Sequence, residues 1–355
     1  MGADFTVTLL NGRKTDVYFL STIKELSAKL SAYGRRVLWV FDSNSAALFT
    51  NLPANSVILP SGEKNKTFSS IEKIISAALD AHLSRDSVFI GFGGGVVCDM
   101  TAFAASVFMR GCSLILVPTT LLCMVDASIG GKSAIDFKGG KNLIGTFYPA
   151  KDVLISSACL RTLPQQEFIS GMGEVIKHAF LTEDDALYDF LVKNRNAILK
   201  KDRETVSEMV DMSLRVKASY IERDPEEKLG IRQALNLGHT FAHALETTAN
   251  FSIKHGIAVA WGLSRAAYCG AELRITSREL QEKIDSLLSL YSYDISYRIG
   301  RGEWLDFYSS VGKDKKRLQG GVKFVLLEAQ GRPVLRELEQ NLVKSAVISA
   351  PSRIS

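Results

Sequence analysis

The sequence predicts a two-part α/β protein, with a parallel-sheet, nucleotide-binding half followed by a mostly α-helical, metal-binding half. Three observations carry that prediction. Short apolar runs alternate with helix-length amphipathic segments as far as Pro149, which is the pattern of a parallel sheet covered on both faces. One of the runs, Ser87-Val-Phe-Ile90, leads directly into Gly91-Phe-Gly-Gly-Gly95. Beyond Pro149 helical spacing dominates, and four of the five histidines (His178, His239, His243, His255) fall there.

Taken in order, Arg36–Phe41 predicts a strand that stops at the turn residues Asp42-Ser-Asn44, and Ser56–Leu59 predicts a second, ending in the loop from Pro60 to Lys66. Helical spacing covers Ile71–Ala81 and Val96–Met109, and strands are predicted at Ser87–Ile90 and Leu114–Val117. Glycines allow the backbone to approach a pyrophosphate, and the helix that follows supplies N–H donors. The spacing is not Gly-x-Gly-x-x-Gly, however: Gly91 and Gly93 fit, but Val96 holds the third position. A bare tight turn fits the pattern equally well. Asp99 lies in the first helical turn, where a carboxylate serves as a cap or accepts a hydroxyl.

Lys132 and Lys141 each follow a Gly-Gly pair, with Asp126 ahead of both. Flexible backbone beside an ammonium group suits phosphate or carboxylate. After Pro149, helices are predicted over Gln165–Phe180, Asp185–Lys200, Glu204–Ile221, Ala234–Thr248, Ile257–Leu273 and Arg278–Leu290, with Asp184, Asp185 and Asp202 as N-caps. Phe324–Leu327 predicts a late strand returning to the rim of the sheet. The expected domain division is 1–160 and 161–355.

His239 and His243 are four residues apart and leave one face of a helix. Glu174 sits in the apolar, helix-like stretch Gly171-Met-Gly-Glu-Val-Ile-Lys-His178, where a carboxylate is costly unless paired or metal-bound. Two imidazoles and one carboxylate, with a position left open, make a catalytic zinc sphere. His239-Thr-Phe-Ala-His243 lacks the glutamate that follows the first histidine in zincins. An open zinc beside a nicotinamide favours chemistry on a hydroxyl, and a cleft rich in Lys and Arg favours a polyanionic small molecule.

Composition narrows the class. The 355 residues are 46% hydrophobic and 23% charged with a net charge of +5, ordinary for a globular enzyme of about two domains. No Lys/Arg run is interleaved with aromatics, so nucleic acid is not an expected partner. Five widely spaced cysteines without a Cys-x-x-Cys argue against a disulfide framework and for a reducing compartment. No signal-peptide core and no apolar run of ~18 residues is present. A cytoplasmic location away from membranes is therefore expected.

Together, Gly93-Gly-Gly-Val-Val-Cys-Asp99, Pro118-Thr-Thr-Leu121, Val125-Asp through Lys132, Gly140-Lys-Asn142, Gly173-Glu-Val-Ile-Lys177 and Leu235-Asn-x-Gly-His-Thr240 resemble the 3-dehydroquinate synthase family of sugar phosphate cyclases. The resemblance spans about Pro60 to Lys323. It implies a Rossmann-like NAD domain followed by an α-helical domain, a homodimer, and a place in the shikimate pathway. The implied reaction converts 3-deoxy-D-arabino-heptulosonate 7-phosphate to 3-dehydroquinate and phosphate, through transient oxidation by NAD, elimination, re-reduction and intramolecular aldol closure.

The resemblance also implies site residues. Glu174, His239 and His255 would bind Zn2+ (or Co2+). NAD would be held by Asp42, by Ser61, Glu63 and Lys66, by Gly94, Gly95, Val96, Val97 and Asp99, and by Thr119 and Thr120. Lys132, Lys141, Cys159 and Thr162 complete that set. Substrate would meet Asp126, Lys132, Asn142, Lys177, Lys217, Arg232, Asn236, His243, Lys315 and Lys316, with Arg110 reaching its phosphate across a dimer interface. Three departures stand out: Cys98 where a glycine is usual, Gly173 where an alanine is usual, and Ser61 for a frequent Asp. The first two would weaken cofactor affinity and helix rigidity. A related sugar-phosphate cyclase or a metal-dependent polyol dehydrogenase would share the apparatus, and a non-enzymatic nucleotide-binding module is the remaining alternative.

Overall fold

The computed structural model describes residues 2–9, 12–313 and 322–348. The chain divides into two compact units: Met1–Pro164 with Lys200–Glu226, and Gln165–Leu199 with Glu227–Ser355. This differs from a single cut after residue 160, because a helix from the middle of the sequence belongs with the first unit.

The first unit contains β1 (Phe5–Thr8), β2 (Lys14–Phe19), α1 (Ile23–Ser31), β3 (Val37–Asp42), α2 (Ser43–Ala46), β4 (Ser56–Leu59) and α3 (Phe68–Asp80). It continues with β5 (Val88–Gly93), α4 (Gly95–Val107), β6 (Ser113–Pro118), β7 (Lys132–Phe137), β8 (Gly140–Phe147) and β9 (Asp152–Ile155). A seven-stranded sheet has the order β1-β2-β9-β6-β5-β3-β4. It is parallel except for β1, which pairs antiparallel with β2. Its central strands are apolar on both faces: Val40, Phe41, Phe89, Ile90, Ile115 and Val117 are fully buried, as a sheet sandwiched by helices requires. All four strands predicted for this half are found. The glycine-rich stretch read as two loops is instead an antiparallel hairpin, β7–β8, turned by Lys138 and Gly139 at positive φ.

The second unit is mainly helical: α5 (Gln165–Ala179), α6 (Ala186–Leu199), α8 (His239–Thr248), α9 (His255–Glu272), α10 (Arg278–Leu290), α11 (Trp304–Lys313) and α12 (Gln340–Ile348). The intervening α7 (Arg203–Arg223) belongs to the first unit. Asp202 caps α7 by accepting from Thr205 N at 3.0 Å, as expected. Two expectations need correction. The helix read from Ala234 begins only at His239, because Gly238 adopts φ +81 and ends the 3₁₀ turn Ile231–Asn236. The late strand does not rejoin the large sheet. It is β10 (Lys323–Ala329) and folds back locally on β11 (Arg332–Glu337). No helix among the described residues is long and apolar enough to cross a membrane.

Candidate active site

Three elements of the second unit bring three donors together. Glu174 lies inside α5, His239 is the first residue of α8, and His255 is the first residue of α9. Glu174 is completely buried. Its Oε1 is 3.3 Å from His239 Nε2 and 3.5 Å from His255 Nε2. Neither carboxylate oxygen has an aligned donor among the described residues. A tetrahedral ion with bonds of about 2.0–2.2 Å separates its ligand atoms by about 3.3–3.6 Å. The donor set therefore fits a divalent cation by chemistry and by spacing.

Glycines set this geometry. A Cβ on Gly173 would stand 2.0 Å from the Gly256 carbonyl oxygen, and one on Gly256 would stand 1.7 Å from the Ser170 carbonyl oxygen. Backbone thus touches backbone where α5 crosses α9, next to Glu174 and His255. Gly238 is pressed on α9 in the same way, since a Cβ there would stand 2.7 Å from Leu263 N, which sets the start of α8 and with it His239. Lys177, also buried, puts Nζ 2.5 Å from Glu174 Oε2 and donates to the Leu235 carbonyl at 2.7 Å. Burial alone would raise the Glu174 carboxyl, but the Lys177 charge and His239 outweigh it and hold the group well below the usual range. Glu174 is thus ionised, as a ligand must be.

The first unit builds the glycine turn between β5 and α4. Gly94 is the N-cap of α4 and offers no side-chain cap, so the first N–H groups of that helix face outward. A Cβ on Gly93 would meet Val97 at 2.6 Å, and one on Gly94 would meet Thr120 at 3.2 Å. The turn is therefore too tight for side chains at these two positions. Behind it, buried Lys66 donates to Asp99 Oδ2 at 2.6 Å and to the Asn142 amide oxygen. Burial raises the Asp99 carboxyl and Lys66 offsets part of that. Nearby, buried Lys217 on α7 pairs with the Asp126 carboxylate.

The family models described as "3-dehydroquinate synthase N-terminal" and "3-dehydroquinate synthase C-terminal" match residues 56–170 and 171–317. A 3-dehydroquinate synthase of Francisella tularensis subsp. tularensis is 40% identical over 83% of this chain and 82% of its own. One from Shewanella loihica is 34% identical over 96% of this chain and 98% of its own. The chain belongs to the 3-dehydroquinate synthase family. Among solved structures, 2-epi-5-epi-valiolone synthase from Streptomyces hygroscopicus, with NAD+ and Zn2+ bound, superposes with TM-score 0.85 at 21% identity, covering 96% of this chain and 98% of the other. A 2-deoxy-scyllo-inosose synthase complexed with carbaglucose-6-phosphate, NAD+ and Co2+ does so with TM-score 0.84 at 22% identity, covering 98% and 100%. At those identities the likeness is one of fold.

Within this 3-dehydroquinate synthase framework the expected residues fall into two sets, one in each unit. Lys177, Arg232, Asn236 and His243 join the metal donors in the second, where Arg232 is buried with Nε 3.1 Å from Glu227 Oε1. Asn236 and His243 are exposed. Asp126, Asn142, Lys217, Lys132, Lys141 and Arg110 are in the first. Arg110 is exposed between Met109 and Gly111, all three at positive φ. Asp42 caps α2 by accepting from Ser45 N at 2.7 Å. Ser61 accepts from the Asn65 amide through its carbonyl, and Glu63 lies 4.0 Å from the Lys66 ammonium. Thr119 is buried at the end of β6, and Thr162 is exposed. The Cys159 thiol is buried and pushed up to about 12, which makes it a packing group and leaves its backbone as the part a ligand can meet. Lys315 and Lys316 lie outside the described residues.

Two of the departures acquire a physical reading. Cys98 points into the core, with its sulfur 3.7 Å from the Gly93 carbonyl and 3.5 Å from Cys123 Sγ. The side chain is absorbed behind the turn and leaves its outer face unchanged. Gly173, expected to loosen the helix, instead permits the closest helix contact beside the metal donors. Sequence reasoning named Lys66 and Asp99 separately and did not pair them, since 33 residues separate them. It also gave no role to Glu227 or Glu246. For Glu246 a signal existed, because it lies on the face shared by His239 and His243.

Asp99→Ala is expected to destabilise the protein by about 3 kcal/mol, because it takes the close carboxylate away from the buried Lys66 ammonium. The double variant Lys66→Met/Asp99→Ala should lose less than the sum of the single changes. Urea midpoints of the wild type, the two single variants and the double variant check this. Additive losses would mean that the pair is not coupled.

Proposed function

We propose that this chain converts 3-deoxy-D-arabino-heptulosonate 7-phosphate to 3-dehydroquinate and phosphate, as an NAD- and metal-dependent carbon–oxygen lyase. The observation that carries the reading is the Glu174–His239–His255 cluster, built on a fully buried carboxylate and found in a chain whose family match covers both halves. Two imidazoles and a carboxylate favour zinc, with cobalt able to replace it. When bound, the metal polarises a substrate hydroxyl and NAD accepts and returns its hydride.

The chain's own residues would do the rest. The Gly94–Val97 turn and Asp99 would hold the dinucleotide, and Asp42 would meet its ribose hydroxyls. Lys177 and Arg232 would sit against the substrate as buried cations, which stabilise developing negative charge more strongly than exposed ones. Asp126, held by Lys217, would orient a substrate hydroxyl. His243, exposed on α8 with its ring centre 5.6 Å from that of His239, would move a proton beside the cluster. Lys132 and Arg110 would balance the departing phosphate, Arg110 from the partner in a cytoplasmic homodimer.

The purified protein, given the heptulosonate phosphate with catalytic NAD and a divalent metal, should release phosphate and dehydroquinate in equal amounts with no net NADH. NADH accumulating in step with turnover would favour a polyol dehydrogenase instead. Tight NAD binding without turnover would favour a binding module.

A further inference from the structure

Glu246 is 5% exposed, a carboxylate inside the helical unit that plays no part in the reading above. It lies on α8, on the face that carries His239 and His243. Its Oε2 is 3.3 Å from His255 Nδ1, while the other nitrogen of that ring, Nε2, is 3.5 Å from Glu174 Oε1. The His255 imidazole therefore spans two carboxylates, one at each nitrogen. An imidazole that offers its Nε2 lone pair to a cation carries its proton on Nδ1, and an acceptor there sets both tautomer and ring orientation.

His243, Glu246 and His255 also offer ligand atoms within 4.8 Å of one another, so a second ion is the competing use of this acid. It would require the His255 ring to give up protons at both nitrogens while a first ion sat at Nε2. It would also draw on His243, which is exposed. A single proton held between Nδ1 and Glu246 links those two atoms with no further charge.

We propose that Glu246 is a positioning residue. It accepts the Nδ1–H of His255 and so aims Nε2 at the ion held by Glu174 and His239. The inference rests on the metal reading given above. The test uses the full-length protein stripped of metal and titrated with Zn2+ against a chelator. A parallel sample is loaded with Co2+ for its visible spectrum. The wild type is expected to take up one ion per chain. Glu246→Ala should bind that ion about 10- to 100-fold more weakly, with an altered cobalt spectrum. Glu246→Gln should recover most of the affinity, because its amide oxygen accepts the same N–H. If the alanine variant does not fold, Glu246→Leu, similar in size but without an acceptor, carries the same comparison. Wild-type affinity and spectrum in a folded alanine or leucine variant would overturn the positioning role alone. Two ions in the wild type and one in the variant would make Glu246 a ligand and also overturn it. A wild type that binds no ion would bring down the metal reading, and this inference with it.

Discussion

Glu174→Ala is expected to abolish metal retention and to lower turnover at least about a thousandfold. The size follows from what the carboxylate does. It is the one anionic donor among the three, and a metal held there would stabilise transition-state charge by several kcal/mol, where each 1.36 kcal/mol is tenfold in rate. The change also strips the buried Lys177 ammonium of its partner, 2.5 Å away, an effect of about 3 kcal/mol on stability. Two consequences of one substitution must be separated. Glu174→Gln keeps the volume and a polar oxygen beside Lys177 but lacks the charge, so it should fold better than the alanine variant while still losing the ion. Metal analysis after gel filtration, with melting temperatures of the metal-free proteins, makes the comparison. A Glu174→Ala protein that keeps both metal and activity would remove the basis of the site.

Gly173→Ala is expected to damage the protein although alanine is the better helix former. The propensity gain is about 1 kcal/mol. Opposing it, the new methyl would lie 2.0 Å from the Gly256 carbonyl oxygen and 2.8 Å from its carbon. These are backbone atoms of α9 and cannot rotate aside, so the two helices must part. Overpacking of that kind costs about 1–3 kcal/mol or more, and the clash wins. Because Glu174 follows Gly173 and His255 precedes Gly256, parting the helices also pulls two metal donors away from each other. The variant should melt lower and bind Zn2+ more weakly, with the loss in affinity persisting at temperatures where it is folded. Unchanged melting and unchanged affinity would mean that the crossing tolerates a methyl and does not set the site.

Local signals in the sequence were legible wherever a short stretch settles its own conformation. Ser56–Leu59 and Arg278–Leu290 have the bounds that their periodicity predicts, and Asp202 caps the helix that it precedes. The signals failed where backbone conformation depends on partners far along the chain. Gly238 reads as an interior helix position until α9 presses on it. Phe324–Leu327 reads as an edge strand until β11 folds back beside it. Glycines between Lys132 and Gly145 read as loop, yet a Cβ on Gly145 would stand 1.8 Å from the Ser133 carbonyl oxygen, so close strand pairing is what requires one of them.

By itself the sequence determined the kinds of element, the glycine turn ahead of a helix, and the donor types available for a metal and for anions. These follow from residue spacing and from side-chain chemistry, which need no partner. Only the tertiary structure decided which donors meet. Helical spacing joins His239 to His243, but distance joins Glu174 to His239 and His255 and joins Glu246 to the far nitrogen of the same ring. The reason is that these contacts form where separate helices cross, and a crossing depends on two surfaces fitting together.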